Sequence, residues 1–408
     1  MWHMQLPTDV NYIITTLEAA GYQAFAVGGC VRDIIRSVSP KDWDIATSAT
    51  PAQAKALFLR TIDTGIKHGT ITVLLDSQHY EVTTYRIDGE YLDNRRPQTV
   101  TFTANITDDL SRRDFTMNAI AYNPHSGFVD PFNGQEDIKN GVIRCVGDAL
   151  HRFSEDALRM LRAIRFCGVT GYRIDSEILA AIPRLKHNMA SISPERIREE
   201  LAKLVVSQNV QAIRPLEETG LLLYILQGRE YGGDLAQVIL WLQNCPSQET
   251  MRMAIFLYWA GDSCADILRD LRFCNKSNKE ISMYVKWLHT RIPYNRYEIK
   301  KAMRSIPQDP FENLLTLKAI INPMQVRELE NILQEAHDII DKNECFTLRN
   351  LAVNGNDLAA VGITNGTEIG QKLEQLLDMV VREPSLNTKE ALLRKLRHSG
   401  LDPESNRF

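Results

Sequence analysis

Long apolar runs are missing from this chain: the longest, around Leu221–Leu226 and Ile255–Ala260, are far too short to cross a bilayer. Met1–Val10 holds no basic stretch followed by an apolar run, so no secretory signal is expected. Cysteine is sparse and odd in number, seven in 408 residues, with no Cys-x-x-Cys and no paired histidine spacing. That pattern argues against a disulfide framework and a structural zinc, and predicts a reducing, cytoplasmic setting. Cys30, Cys145 and Cys167 stand in apolar contexts and read as small core residues. Fixed-period repeats and low-complexity tracts are absent. A dominant charge is lacking too: at a net charge of −4, binding to RNA would require basic residues gathered on one surface. The remaining composition, 44% hydrophobic and 24% charged, is that of an ordinary soluble globular protein. Its length calls for several domains.

Against this plain background two short segments stand out. Ala26-Val27-Gly28-Gly29-Cys30-Val31-Arg32-Asp33 is followed by Asp42-Trp43-Asp44-Ile45-Ala46-Thr47. On a strand, alternate side chains share a face, so Asp42 and Asp44 are expected to project together. Two carboxylates that close repel and call for a cation between them. All-oxygen ligation suits Mg²⁺, which keeps its waters and recruits one or two carboxylates plus substrate phosphates. Gly28 and Gly29 offer a backbone without side chains that phosphates can approach, with N–H donors. Singly, a Gly-Gly is a turn and an Asp-x-Asp a solvated strand end. In this order and spacing they read as a two-metal phosphoryl or nucleotidyl transfer site.

The same residues resemble the nucleotidyltransferase signature of the class II tRNA nucleotidyltransferase and bacterial poly(A) polymerase family. Further landmarks match: Arg112-Arg113-Asp114-Phe115-Thr116-Met117-Asn118-Ala119, then Asp130-Pro131-Phe132-Asn133-Gly134, then Arg152-Phe153-Ser154-Glu155-Asp156-Ala157-Leu158-Arg159. The likeness is dense from about Ala24 to Phe166 and thin through the middle. It returns at Leu351-Ala352-Val353-Asn354-Gly355 and Leu386-Asn387-Thr388-Lys389-Glu390. It implies an α+β fold with an N-terminal, polymerase-beta-like nucleotidyltransferase palm as head, followed by an all-helical neck, body and tail. The expected divisions are 1–148 for the head, 149–220 for the neck, 221–300 for the body and 301–408 for a tail that grips tRNA.

The resemblance assigns roles residue by residue. Asp42 and Asp44 would bind two Mg²⁺ ions, one activating the tRNA 3′-hydroxyl and the other neutralising the triphosphate and leaving group. Glu81 would lie on the neighbouring strand, either completing the metal site or standing solvated on the strand face. Arg32, Arg112 and Arg113 would clamp the triphosphate, since a guanidinium binds phosphate bidentately and never loses its charge. Asp114 and Asn118 match a sugar-contacting pair, although Asp114 could equally cap the following helix. Glu155 and Arg159 are placed to pair on one helix, and Asp156 and Arg159 to share a face. An ordinary helical salt bridge is one outcome, and a protein template for the incoming base, implied by the family, is the other. Cytosine and adenine present an amino donor beside an unprotonated ring nitrogen; uracil and guanine present the reverse. A carboxylate only accepts and a guanidinium only donates, so Asp156 and Arg159 match CTP and ATP. Glu155 would hold Arg159 in register and Arg162 would reach phosphate. The implied reaction is addition of C, C and A to the tRNA 3′ end with release of pyrophosphate. An A-adding enzyme of a split system and a poly(A) polymerase are the alternatives. Duplex recognition by shape and phosphate contacts would hold the acceptor arm.

The polar segment Arg86–Val100 is long for a strand connection. It reads as a passive loop or, by resemblance, as the mobile element used in passing from C to A addition. His337-Asp338 has the form of a phosphohydrolase metal dipeptide, but no partner ligands accompany it, so it reads as an exposed helix face. Periodicity predicts a helix over Asp9–Ala20 with Asp9 as N-cap, a proline-started helix over Pro51–Leu59, and strands over Gln23–Val27, Thr70–Leu75 and Tyr80–Tyr85. Phe128–Asp130 and Val142–Val146 are shorter strand candidates. Helices are predicted over Glu155–Cys167, Asp175–Ile182, Pro194–Val206 and Val210–Thr219, with a helical remainder.

Overall fold

The computed structural model describes residues 5–76, 78–89, 99–261 and 263–398. The chain divides into two units, Met1–Ile239 with Ala265–Phe273, and Leu240–Cys264 with Cys274–Phe408. The first unit opens with α1 (Thr8–Ala19), β1 (Ala24–Val27), α2 (Gly29–Ile35), β2 (Asp44–Thr47), α3 (Pro51–Leu57), β3 (Thr61–Gly65), β4 (Thr70–Leu75) and β5 (Gln78–Thr84). It continues with β6 (Arg86–Asp88), β7 (Val100–Phe102), α4 (Ile106–Ser111), β8 (Ala121–Asn123), β9 (Gly127–Val129) and α5 (Gly134–Asn140). Helices α6 (Ala149–Glu155), α7 (Leu158–Thr170), α8 (Ser176–Leu185) and α9 (Pro194–Val205) follow.

Seven strands form one sheet in the order β3-β4-β5-β2-β1-β8-β9. β2 and β5 run parallel, and the other pairs are antiparallel. All four residues of β1 are buried, because the sheet is covered on both sides. Ala24 and Ile45 pack with Val10, Ile13, Ile14 and Leu17 of α1 on one face. Phe25, Val27 and Ala46 pack with Ile106 and Leu110 of α4 on the other. Burial on both faces explains why these strands read as continuous apolar runs instead of alternating. β3, β6, β7 and β8 carry too little apolar pattern to be expected from the sequence, and pairing with neighbours makes them strands.

Several local expectations change. Pro7, not Asp9, occupies the N-cap of α1; Asp9 lies inside the helix and accepts a 2.9 Å hydrogen bond from the Tyr80 hydroxyl. Thr50 caps α3 through a reciprocal capping box with Gln53, with Pro51 opening the helix. The predicted helix Glu155–Cys167 is broken at Asp156, which adopts an extended backbone (φ −139°, ψ 103°) between α6 and α7.

Among the described residues the second unit is helical, including Glu249–Ala260, Asn275–Leu288, Arg296–Ser305, Gln308–Ile321, Val326–Asp341 and Gly366–Arg382. The two late sequence landmarks meet there. Asn387 accepts from the Ala352 N–H (2.8 Å) and donates to the Asn350 carbonyl (2.9 Å), while Asn354 caps Gly355–Ala360 with Asp357 in a capping box. His337 contacts Glu312 at 3.1 Å and Asp338 pairs with Arg296 at 2.8 Å, so the His-Asp dipeptide is spent on ordinary side-chain contacts. No helix among the described residues is long and apolar enough to cross a membrane.

One close approach generates a test of the packing. Asp130 accepts from the N–H groups of Gly134 (2.7 Å) and Gln135 (2.9 Å), pinning the start of α5. A Cβ on Gly134 would stand 2.2 Å from the Thr116 carbonyl oxygen, a backbone atom with little freedom to move. Gly134→Ala is therefore expected to destabilise the first unit by about 2–3 kcal/mol. Amide hydrogen exchange of the β1, β2 and β8 backbone measures the loss, and unchanged protection there would refute it.

Candidate active site

Parallel pairing of β2 with β5 sets Asp44 directly beside Glu81, with Val27 of β1 on its other side. Asp44 and Glu81 thus share one sheet face at the end of β2. Asp42 lies in the bend before the strand, so strand alternation does not account for its position as expected. It is still close enough to act on both neighbours. Loss of surrounding water and the Asp42 charge push the Asp44 carboxyl above the usual carboxylate range, against the opposing pull of Arg113. Glu81 is pushed up likewise, by desolvation and then by Asp44 and Asp42. Three carboxylates that disfavour each other's charge suit a divalent cation chemically. Among the described residues no three His, Cys, Asp or Glu side chains form a ready-made metal cage. That fits an ion whose remaining ligands are substrate oxygens and water.

Gly28 closes β1 at φ 75°, a conformation that favours glycine, and a Cβ there would stand 2.8 Å from Arg113 Nη1. Its own N–H donates to the Ile120 carbonyl at 3.2 Å and so is not free for the phosphate contact expected of it; the glycine makes room for a guanidinium. Gly29 begins α2, with no such crowding. Together these residues border a cavity of about 500 Å³ that also takes in Arg32, Arg112, Arg113, Asp114, Asn118, Asp156, Arg159, Arg162, Arg165, Phe166 and Arg196.

Each guanidinium is tethered. Arg112 and Arg113 both bind Asp109 (2.7 and 3.1 Å), which is fully buried. Burial alone would raise the Asp109 pKa, but Arg113 and Arg112 outweigh it and hold the carboxyl below its ordinary range. Arg32 donates to Asp33 (2.8 Å) and, through Nη1, to Asn118 Oδ1 (2.7 Å). Asn118 Nδ2 donates to Asp114 Oδ1 at 3.0 Å, and Arg162 donates twice to Asp114 Oδ2 (2.9 and 2.6 Å). Against the effect of burial, Arg162, Asn118 and Arg159 keep Asp114 ionised to well below the usual pH. Asp114 caps no α-helix; it is followed by a single 3₁₀ turn, Thr116–Asn118, whose N-cap is Phe115. Arg162 is occupied by Asp114 and, at 3.6 Å, by Glu200, where phosphate contact was expected.

The expected Glu155–Arg159 pair is present, Nη1 donating to Oε2 at 2.5 Å, with further bonds to the carbonyls of Arg152 (3.2 Å) and Arg112 (3.0 Å). Asp156 sits at the helix junction and is gripped by Arg196 of α9. Sequence reasoning missed Arg196, which is 40 positions away and carries no local signal. It also missed Arg165 and Phe166. The Arg165 guanidinium lies 3.6 Å from the Phe166 ring centroid, with those of Arg32 and Arg162 at 5.2 and 5.4 Å. The three-residue step from Arg162 to Arg165 on one helix was the available clue. The ends of Arg86–Val100 pair as strands β6 and β7, and Asp88 contacts Arg86 (3.1 Å) and Arg112 (3.7 Å). Residues 90–98, including Arg95 and Arg96, lie outside the described residues.

A glycine turn, strand-end carboxylates and an arginine-lined cavity are the equipment of a nucleotidyltransferase. Comparison with known proteins narrows the class. Residues 24–144 match the family described as "Poly A polymerase head domain", 171–231 "Probable RNA and SrmB- binding site of polymerase A", and 246–396 a tRNA nucleotidyltransferase domain 2. The chain is 38% identical over 392 residues to a CCA-adding enzyme of Geobacillus sp. (strain WCH70), covering 95% of this chain and 96% of that one. It is 35% identical over 394 residues to a CCA-adding enzyme of Lactobacillus helveticus (strain DPC 4571), with 93% and 94% covered. The crystal structure of the Bacillus stearothermophilus CCA-adding enzyme in complex with CTP superposes with a TM-score of 0.82 at 31% identity, covering 97% and 99%. The chain belongs to the CCA-adding enzyme family. Nucleotidyltransferases of this family generally use a divalent metal.

Protons and a divalent cation compete for the same carboxylates. Because Asp44 and Glu81 keep their protons to higher pH than ordinary carboxylates, cation binding should strengthen as pH rises through that raised range. The gain in Tm on adding the cation is expected to be full above the raised range in which these carboxyls lose their protons and to fall away as pH drops through it. Asp44→Asn should abolish it without lowering the cation-free Tm, since a repulsive charge is removed. A cation-induced gain that survives this change, or that grows as pH falls, would refute the metal assignment.

Proposed function

We propose that this chain adds C, C and A in turn to the 3′ end of tRNA, taking them from CTP and ATP and releasing pyrophosphate. The observation that carries the reading is a single cavity bordered at once by the strand carboxylate Asp44 and by the base-reading pair Asp156 and Arg159. Asp42 and Asp44 hold Mg²⁺, whose bound form supplies positive charge for the triphosphate and makes the attacking hydroxyl more acidic. Arg32, Arg112 and Arg113 hold and orient the triphosphate with fixed N–H forks, and Gly28 and Gly29 keep the approach clear. Asp114 and Asn118 accept and donate to the ribose. Asp156 accepts from the exocyclic amino group of cytosine or adenine, and Arg159, steadied by Glu155, donates to the adjacent ring nitrogen. Glu81 stands beside Asp44 as a supporting carboxylate.

In this reading residues 1–148 form the catalytic head, 149–220 the neck that carries the base template, and 221–300 and 301–408 the body and tail that hold the acceptor arm. The segment 86–100 serves the passage from C to A addition, and Asp88, bound to Arg112, links its base to the phosphate-binding wall. Seven cysteines without a disulfide suit a reducing compartment, and we place the reaction in the cytoplasm.

The test is product length on tRNA lacking its terminal CCA, with CTP and ATP supplied singly and together. The wild-type protein should stop after two additions with CTP alone and complete CCA with both. Extension only of tRNA already ending in CC would favour the A-adding alternative, and long A tails would favour a poly(A) polymerase. Asp42→Asn and Asp44→Asn should each abolish C and A addition alike, while tRNA binding in a gel-shift assay persists. Asp156→Ala or Arg159→Ala should lower correct addition and relax discrimination against UTP or GTP by about ten- to a hundredfold. Lost activity with unchanged relative preference would reduce that pair to a structural contact.

A further inference from the structure

Base reading as argued above asks only that Asp156 accept a hydrogen bond, yet both of its oxygens are already engaged. Arg196 Nη2 donates to Oδ2 at 2.7 Å and Nη1 to Oδ1 at 3.2 Å, while Oδ1 also takes the Leu158 N–H at 3.1 Å. A carboxylate offers about four acceptor sites, so these three bonds leave one, on Oδ2, for a ligand. Both side chains border the cavity. Arg196 stands in the first turn of α9, whose buried stripe of Ile197, Leu201, Leu204 and Val205 fixes the helix against the unit. One turn on, Glu200 holds Arg165 at 2.7 Å, so the same helix face steadies both the base-reading and the phosphate side.

We infer that Arg196 is a specificity-determining positioning residue, which clamps Asp156 so that one acceptor site, and nothing that can donate, meets the incoming base. This inference rests on the reading of Asp156 as part of the base template. With both oxygens clamped, the carboxylate plane cannot turn. Cytosine and adenine place an N–H₂ donor on the remaining lone pair. Uracil and guanine place a carbonyl oxygen there, acceptor against acceptor. Without Arg196 the carboxylate is tied only by the Leu158 N–H and can rotate away or hold a water. A water that donates to Asp156 with one hydrogen can donate to a uracil carbonyl with the other, which converts a mismatch into a bridge.

Arg196→Ala, Arg196→Lys and Glu200→Gln would be compared with the wild-type chain, first for binding of CTP and UTP at equilibrium and then for addition to tRNA lacking CCA. Arg196→Ala should cut CTP-over-UTP discrimination about tenfold, and Arg196→Lys, with charge but no fork, by less. Glu200→Gln should weaken all nucleotides alike and leave the ratio unmoved. In a double-mutant cycle, adding Arg196→Ala to Asp156→Ala should cause no further loss of discrimination. Unchanged discrimination in Arg196→Ala, an equal loss for every nucleotide, or additive effects in the cycle would each overturn the inference. Should Arg196→Ala fail to fold, Arg196→Lys with the binding ratio decides between the same outcomes. The binding arm also keeps the two readings apart. If the wild type binds CTP over UTP but does not extend the tRNA, the proposed reaction fails and the role of Arg196 stands.

Discussion

Seven guanidinium groups border one cavity, and the structure depends on the fact that every one of them is tied to a carboxylate, Arg112 and Arg113 sharing one. Arg32 is held by Asp33, Arg112 and Arg113 by Asp109, Arg159 by Glu155, Arg162 by Asp114, Arg165 by Glu200 and Arg196 by Asp156. Two unit charges 4 Å apart repel by about 4 kcal/mol near a protein surface, so an untethered set of this size would not stay together. The tethers turn a mutually repelling group into an ordered wall. They also explain why arginine is used: the planar fork can give one edge to its tether and keep another for a ligand, which a lysine ammonium does with no fixed direction.

That arrangement divides the work between the arginines and the metal. Six carboxylates against seven guanidiniums leave the wall close to neutral. The wall therefore offers direction far more than net charge. In the proposed reaction the triphosphate is strongly anionic, and a divalent ion would add positive charge to what the tethered guanidiniums offer. The raised Asp44 and Glu81 carboxyls express the same deficit from the protein's side.

What was legible in the sequence follows from what is local. The glycine turn, the Glu155–Arg159 pair and most helices rest on contacts within a few positions, and they appear where periodicity and spacing put them, whereas Asp42 lies in the bend before β2 and not on the strand that its spacing from Asp44 suggested. Glu81 beside Asp44 was foreseen only through the family resemblance, since strand register is a tertiary fact. Arg196, Glu200 and the tether of Arg162 to Asp114 were not legible: they join residues 35 to 48 positions apart, and no local pattern announces them. The break at Asp156 was missed for a related reason. The apolar stripe runs through it at helical spacing, and only the pull of Arg196 and the capped Leu158 N–H favour leaving the helix there.

The break has a functional logic. In an uninterrupted helix, Asp156 and Arg159 would project along one stripe, close enough to pair with each other. Taking Asp156 out of the helix separates the two halves of the proposed base-reading edge. Arg159 stays on α7, tied to Glu155 and to two backbone carbonyls, while Asp156 is tied to a different helix, α9. The donor and the acceptor that would read one base in the proposed reaction are thus anchored separately, Arg159 to Glu155 and Asp156 to Arg196 of α9. Cytosine and adenine present the same donor-acceptor pattern on rings of different size. A template that accepts both, as proposed, needs fixed polarity at its two positions, and the separate tethers of Asp156 and Arg159 supply it.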